Sequence, residues 1–488
     1  MGVRCPYYCS PQWAGTGCVS TGNWENQMKR QLTFAIGVAL IGVSATAFAI
    51  TDTETNASIP FNLANPGARS MGMGGAFLGL ADDATAAYTN PAGLTQLVTP
   101  EISAEARHTD YSLPYVNGGS ASVNPFNGSG LNVSDANSSI DNLSFLSIVY
   151  PHDRWSFAFY RDELVNFHND FATALGGEGI NGFTGTSNCA PPLTSPCGYT
   201  AFPIAARANL KIVDYGVSAA WKASDSVSLG IGLSYYDFKI DTLITRSNSP
   251  TTFSGVPAGF PLNQQAQFGS DNDVGVNLGA RFALSEHWSA GVTYRRGPKF
   301  SYEATSAKLS SITQNSDGTY TGAVTSPNVI VDLKNVRFKV PDEFGAGVSW
   351  HPTDALVINF DADYIQYSQL TDGIQSLFGL DAATVSMLSL PNGTELHLGG
   401  EYTFTQMAHP FSLRAGVWHD PRHSIEFKGD PGNNTAAATT ATLFHGGQGA
   451  QTHYALGLGW AFSKFEIDGA ADFADVTDTY SISAIYRF

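Results

Sequence analysis

From about residue 100 onward, apolar residues alternate with small or polar ones at a period of two. The C-terminal end shows it most plainly. In THYALGLGWAF, Tyr454, Leu456, Leu458, Trp460 and Phe462 fall on one face, with His453, Ala455, Gly457, Gly459 and Ala461 on the other. After the turn Ser463-Lys464, Phe465, Ile467 and Phe473 alternate with Glu466, Asp468 and Asp472; then Tyr480, Ile482, Ala484, Tyr486 and Phe488 share a face. This period belongs to strands, not helices. The same signature predicts fourteen strands, near residues 100–111, 143–150, 154–162, 207–221, 226–242, 267–283, 287–302, 336–350, 355–367, 394–405, 410–420, 452–462, 465–473 and 479–488. Every second connection is short (PHDR, KASD, LSEH, HPTD, TQMAHP, SK), and those between are mostly long. Short turns at one end and long loops at the other describe an all-β membrane protein, a 14-stranded antiparallel transmembrane β-barrel. An even strand count returns both barrel ends to the periplasmic side.

Composition supports a membrane barrel over a soluble sandwich. Only 14% of the 488 residues are charged, yet no long apolar run follows residue 49, and mean hydropathy stays near zero. A lipid face alternating with a lumen face has this average. A soluble core would not readily set so many Gly and Ala residues opposite aromatics. Residues 1–49 hold three bases and one acid, which leaves 22 bases and 41 acids in the remainder. Such acidity excludes a nucleic-acid partner. The expected surroundings are outer-membrane lipid and lipopolysaccharide. A final alternating strand closing on Phe488 resembles the signal read by the outer-membrane assembly machinery.

Residues 28–49, MKRQLTFAIGVALIGVSATAFA, carry a basic start (Lys29, Arg30), an apolar stretch from Leu32 to Val43 and a small-x-small end at Ala47-Phe48-Ala49. They read as a secretory signal peptide. Residues 1–27 do not belong to such a signal and are expected to be a non-native or misassigned extension, with translation starting at Met28. Beyond residue 49 the cysteines are Cys189 and Cys197, in NCAPPLTSPCG. An even pair in an exported chain suggests a disulfide; no His, Asp or Glu lies between them to suggest a metal, and no cofactor is expected.

Residues 50–98 are not barrel-like. They hold Gly72, Gly74, Gly75, the pair Asp82-Asp83, then Asn90-Pro91-Ala92. A short helix is expected over 82–88, capped by an Asp and ended by Asn-Pro. A small-residued apolar segment of this kind suits a plug inside the lumen, leaving 99–488 as the barrel.

The stretches Gly72-Met73-Gly74-Gly75-Ala76, Ala81-Asp82-Asp83-Ala84 and Asn90-Pro91-Ala92 resemble the N-terminal hatch of the FadL/TodX family of outer-membrane channels for hydrophobic compounds. GVTYRR (291–296), VPDEFGAGVSWHPTDALVINFDADY (340–364) and LGGEYTF with FSLRAGVWHDP (398–421) extend the likeness over most of the chain. The resemblance implies passive diffusion of a hydrophobic small molecule, most simply a long-chain fatty acid or else an aromatic hydrocarbon, past a hatch that moves. It also implies a sideways exit at a kinked third strand. RWSFAFYRDEL (154–164) has no glycine to mark that kink.

Alternation places Asn277, Arg281, Arg295, Asp361, Asp363, His397, Glu401 and Arg414 in the lumen, where charge networks bracing barrel and hatch are one reading. Arg414 stands level with Glu401. Arg295 has no evident partner on its hairpin and is the candidate for a substrate carboxylate. In 368–390, Leu370, Ile374, Leu377 and Phe378 form a helical apolar stripe, either a capture surface at the mouth or ordinary loop packing. An enzyme is disfavoured, because neither G-x-S-x-G nor H-E-x-x-H occurs. A hydrophilic porin would lack the hatch. A barrel that escorts a partner protein is the remaining alternative.

Overall fold

The computed structural model describes residues 63–121, 131–172, 199–200, 204–247, 259–308, 311–314, 320–323, 330–372, 382–429 and 449–488. The signal peptide, the 1–27 extension, the Cys189–Cys197 pair, Ile374, Leu377 and Phe378 lie outside them. The strands are β1 (Glu101–Ala121), β2 (Leu131–His152), β3 (Trp155–Ala172), β4 (Ile204–Lys222), β5 (Val227–Ser247) and β6 (Pro261–Ala283). Then come β7 in two runs (Trp288–Arg296, Lys299–Lys308) and β8 in two runs (Ile330–Lys339, Glu343–Thr353). The circuit continues with β9 (Leu356–Ile365), β10 (Gly393–Phe404), β11 (Phe411–Asp420), β12 (Gln451–Ala461), β13 (Phe465–Phe473) and β14 (Thr477–Arg487). Each pairs antiparallel with its neighbours, and β14 pairs with β1, so fourteen strands close into a barrel without an edge.

The outward face is apolar where it must meet lipid. Phe157, Val217, Ile231, Leu278, Val292, Leu398, Leu456 and Ile482 are all more than two-fifths exposed. In water so continuous a patch would drive aggregation; in a bilayer it is the required surface. Trp155 stacks on Trp221 (6.0 Å) and Trp288 on Trp350 (5.5 Å) beside the short turns, as an interfacial belt does.

Midway up the wall the two faces exchange polarity. On β4 the outward residues run Trp221, Ala219, Val217 and Tyr215, then Lys211, Asn209 and Arg207; the inward ones run Ala220, Ser218, Gly216 and Asp214, then Ile212 and Leu210. On β5, Leu229, Ile231, Leu233 and Tyr235 give way outside to Asp237, Lys239 and Asp241, while Ser228 to Ser234 give way inside to Tyr236, Phe238 and Ile240. The strands therefore outlast the bilayer: their upper halves are wet outside and apolar inside.

Two irregularities punctuate the wall. The interruptions of β7 at 297–298 and of β8 at 340–342 lie side by side, since Glu343 pairs with Arg295 and Lys339 with Lys299. Asp271 and Asp273 of β6 accept the Ser301 and Lys299 amides (2.7 and 2.8 Å), replacing ladder bonds there. The second irregularity lies between β2 and β3. They pair only over Phe145–His152 and Trp155–Asp162; above that level β2 continues with β1 alone and β3 with β4 alone. A bulge between Glu163 and Val165 marks the divergence, without glycine.

Candidate functional site

Residues 63–97 run around the inner wall and bond to strands on all sides. The Gly67 amide donates to Glu105 (2.9 Å) and the Ala68 amide to Ser483 (3.2 Å). Asp361 accepts from the Phe77 and Leu78 amides (2.5 and 2.7 Å). Ser289 donates to the Gly79 carbonyl, Ser218 to Ala87, Ser147 to Ala84 and Asn277 to Tyr88. Wall glycines make the room. A Cβ on Gly399 would fall 2.0 Å from the Met73 oxygen, on Gly416 2.2 Å from the Gly74 nitrogen and on Gly291 2.1 Å from the Leu78 oxygen. The small residues that face inward along the strands are thus the bed of this segment.

The candidate residues of the segment occupy definite places. Gly72 abuts Gly457, while Gly74 and Gly75 take successive left-handed conformations (φ 64° and 79°) against β11 and His397. His397 Nδ1 lies 2.7 Å from the Gly74 oxygen. Asp82 pairs with Arg69 at 2.6 Å. Asp83 accepts from the Thr85 amide and hydroxyl (2.8 and 2.5 Å). The helix expected over 82–88 is only Ala86–Thr89, because this side-chain turn competes with helix at 83–85. Asn90 accepts from the Ala92 amide at 3.2 Å, so Asn90, Pro91 and Ala92 start the 3-10 turn Pro91–Gln96. A cavity of about 10 Å³, bounded by Leu63, Ala64, Asn65, Glu343, Asp363, Ile365, Glu395 and His397, lies between segment and wall. It is about the size of one water.

The inward charges at this level form networks. Arg414 reaches Glu401 (2.5 Å) and Asp468 (2.6 Å), and Arg69 joins the same Glu401 at 2.9 Å. Arg295 is paired as well. Its partner is not on its own hairpin but across the other ladder, where Glu343 pairs with it in register; Nη1 and Oε2 are 2.9 Å apart. Its Nη2 donates to the Tyr88 carbonyl (3.2 Å), and its guanidinium lies 3.9 Å from the centre of the Tyr88 ring. It is a brace between wall and segment, already neutralised.

Above the segment lies an apolar layer that the sequence reading missed. Leu164, Val165 and Phe167 of β3, Leu210 and Ile212 of β4, and Tyr236, Phe238 and Ile240 of β5 face inward. Phe300, Tyr302, Phe338 and Val340 face them from the upper runs of β7 and β8. Phe238 stacks on Phe300 at 4.5 Å and on Phe338 at 5.8 Å. Leu370 belongs here as well, 3% exposed in the 3-10 turn Tyr367–Thr371.

A family model described as outer membrane protein transport protein (OMPP1/FadL/TodX) matches residues 182–430, about half of the chain. The chain belongs to the FadL/TodX family. As such it is an outer-membrane transporter of hydrophobic compounds. Solved structures share the fold. A Pseudomonas aeruginosa FadL homologue superposes with TM-score 0.57 at 13% identity, covering 88% of this chain and 99% of its own. The toluene transporter TodX of P. putida gives 0.52 at 14%, covering 87% and 99%. The CymD monoaromatic hydrocarbon channel gives 0.51 at 15%, covering 88% and 99%. Among curated protein sequences none matches this chain.

Proposed function

We propose that this FadL/TodX member passes a neutral hydrophobic molecule by passive diffusion. The route runs from the extracellular end through the apolar layer, with residues 63–98 as the movable plug. The carrying observation is the exchange of polarity on β4 and β5: an interior lined by Ile212, Leu210, Phe238 and Ile240 where the exterior is already wet. A water-filled porin has no use for such a lining, whereas a hydrophobe gains about 25 cal/mol per Å² of apolar surface it buries there. The small cavity beside Leu63 and His397 implies that passage needs the segment to move.

A neutral cargo is preferred to the long-chain fatty acid expected from the sequence. The nominated cation, Arg295, is held by Glu343, and among the described inward strand positions of the layer there is no Lys, Arg or His. The seam where β2 leaves β3 supports a sideways exit. It is stitched by side chains: Arg161 donates to the Leu143 carbonyl, and Asn142 to Glu163 at 2.8 Å. Uptake into outer-membrane vesicles tests the reading. Phe238→Asp should cut entry of a labelled alkylbenzene about tenfold or more, since a lone charge in an apolar site is costly, and leave a small sugar unaffected. Unchanged alkylbenzene entry would overturn it; a fatty acid carried faster than its methyl ester would move the cargo back to acids.

A further inference from the structure

The floor of the apolar layer carries two carboxylates side by side. Asp162 of β3 pairs in register with Asp214 of β4, which pairs in turn with Tyr236 of β5. One row above stand Val165, Ile212 and Phe238; one row below stand Tyr160, Gly216 and Ser234. Both carboxylates are buried, at 8% and 0% exposure. Asp214 Oδ2 accepts from the hydroxyls of Ser234 (2.9 Å) and Tyr160 (3.3 Å), which also bond to each other at 2.9 Å. Its Oδ1 has no hydrogen-bond partner. Asp162 makes no hydrogen bond and no ion pair among the described residues. The neighbouring cations make their ion pairs with other carboxylates: Arg107 with Glu105 (2.7 Å), Arg295 with Glu343 (2.9 Å) and Arg161 with Glu163 (2.6 Å). A buried acceptor without a donor is costly unless something else supplies one.

We infer that Asp162 and Asp214 form a head-group subsite for a hydroxyl. The ligand class is a hydroxyl-bearing hydrophobe, such as an alkylphenol, whose tail lies against Ile212, Phe238 and Phe300 and whose O–H donates to Asp214 Oδ1. A carboxylate head is disfavoured here, because it would bring a further acidic group beside two buried ones in a site of low polarity. The same rows explain why tail and head separate: the carboxylates sit one inward row below the last apolar row.

This rests on the proposed apolar route, and the test separates the two. Full-length protein in detergent micelles would be titrated with 4-hexylphenol and with its methyl ether, 4-hexylanisole, by displacement of a fluorescent neutral hydrophobe. The phenol should bind about tenfold more tightly than the ether, the range expected when a buried acceptor gains a donor that the ether cannot supply. Asp214→Leu should bring that ratio to about two or less, Asp162→Leu should lower it in part, and both should leave ether affinity unchanged. Asp162 makes no hydrogen bond, so its replacement is the safer for folding; heat-modifiable gel mobility checks both variants. Equal binding of phenol and ether by the native protein overturns the subsite and leaves the apolar route standing. Preference surviving in both variants overturns it too. If neither compound binds, the apolar route itself fails. Octanoate binding more tightly than the phenol contradicts the bias against carboxylates.

Discussion

Glu401 stands opposite Arg414 in the β10–β11 ladder, and the same carboxylate receives Arg69 from the segment inside the barrel (Nε–Oε2 3.0 Å, Nη2–Oε1 2.9 Å). Two guanidiniums converge on one buried acid, one belonging to the wall and one to the segment inside it. Arg69 is 13% exposed and Glu401 7%, so losing one member leaves a buried charge short of a partner, at a cost of about 3–5 kcal/mol. Arg69 also holds Asp82, so that cost falls on the seating of the segment rather than on the β-ladders. Arg69→Ala is expected to give a folded barrel that leaks small solutes, read as faster liposome swelling. An unaltered swelling rate would mean that the segment is seated by its backbone bonds alone.

The wall glycines give a steric version of the same test. Gly399→Ala places a methyl carbon on the Met73 oxygen, and Gly416→Ala places one on the Gly74 backbone. Neither strand needs glycine for its own ladder, since both positions lie in regular antiparallel pairing with their neighbours. Barrel assembly should survive, and residues 63–98 should become more open to protease and to amide exchange. Normal protection in both variants would show that the wall yields instead of the segment.

How much of this was legible beforehand follows from what period-two alternation can report. It finds strands and their lipid faces wherever one face stays apolar, which is why there are fourteen strands joined by the six short turns that the pattern placed; β1 runs on to Ala121, β2 starts at Leu131 and β3 runs on to Ala172, well into stretches expected as loops. It identified the lumen positions of Asp361, His397, Glu401 and Arg414 for the same reason. The apolar layer was hidden because the faces exchange polarity: Ile212, Phe238 and Ile240 continue the inward parity of Ser218 and Ser234, but read as lipid-facing by composition. On β7 the interruption at 297–298 also shifts the inward parity, from Arg295 to Phe300, so counting onward from Arg295 places Phe300 and Tyr302 outside. Glu343 was missed as the partner of Arg295 because the ladder joining them crosses the long connection 309–329, and no hairpin rule links its ends.

That pairing changes what Arg295→Ala should do. With Glu343 and the Tyr88 carbonyl already on the guanidinium, its removal disturbs the brace and not a carboxylate receptor. Uptake of a long-chain acid and of its methyl ester should change by the same factor, whether up or down. A loss confined to the acid would restore Arg295 as its partner.

At the extracellular mouth, His423 predicts a pH dependence. Its ring stacks on Tyr367 at 4.7 Å, and its Nδ1 lies 3.2 Å from Asp420 Oδ1 and 3.0 Å from the Pro421 carbonyl. Burial alone would lower the imidazole's affinity for its proton. The hydrogen bond and charge of Asp420, the Pro421 carbonyl and the more distant Glu395 outweigh it, and the group is raised above its ordinary value of 6.5. The sign follows: the protonated ring is favoured in the folded mouth, so its contribution is complete below about pH 6.5 and fades as pH rises through the raised value. The affected structure is the 420–428 stretch, including the ladder of Leu388–Ser389 with Glu426–Phe427. Amide exchange there, corrected for intrinsic rates, should accelerate as pH rises above about 6.5, while exchange in β11 and β12 below it stays flat. His423→Gln should remove the dependence and leave the stretch at its high-pH rate throughout. A profile unchanged by that substitution would show that His423 is not the titrating group.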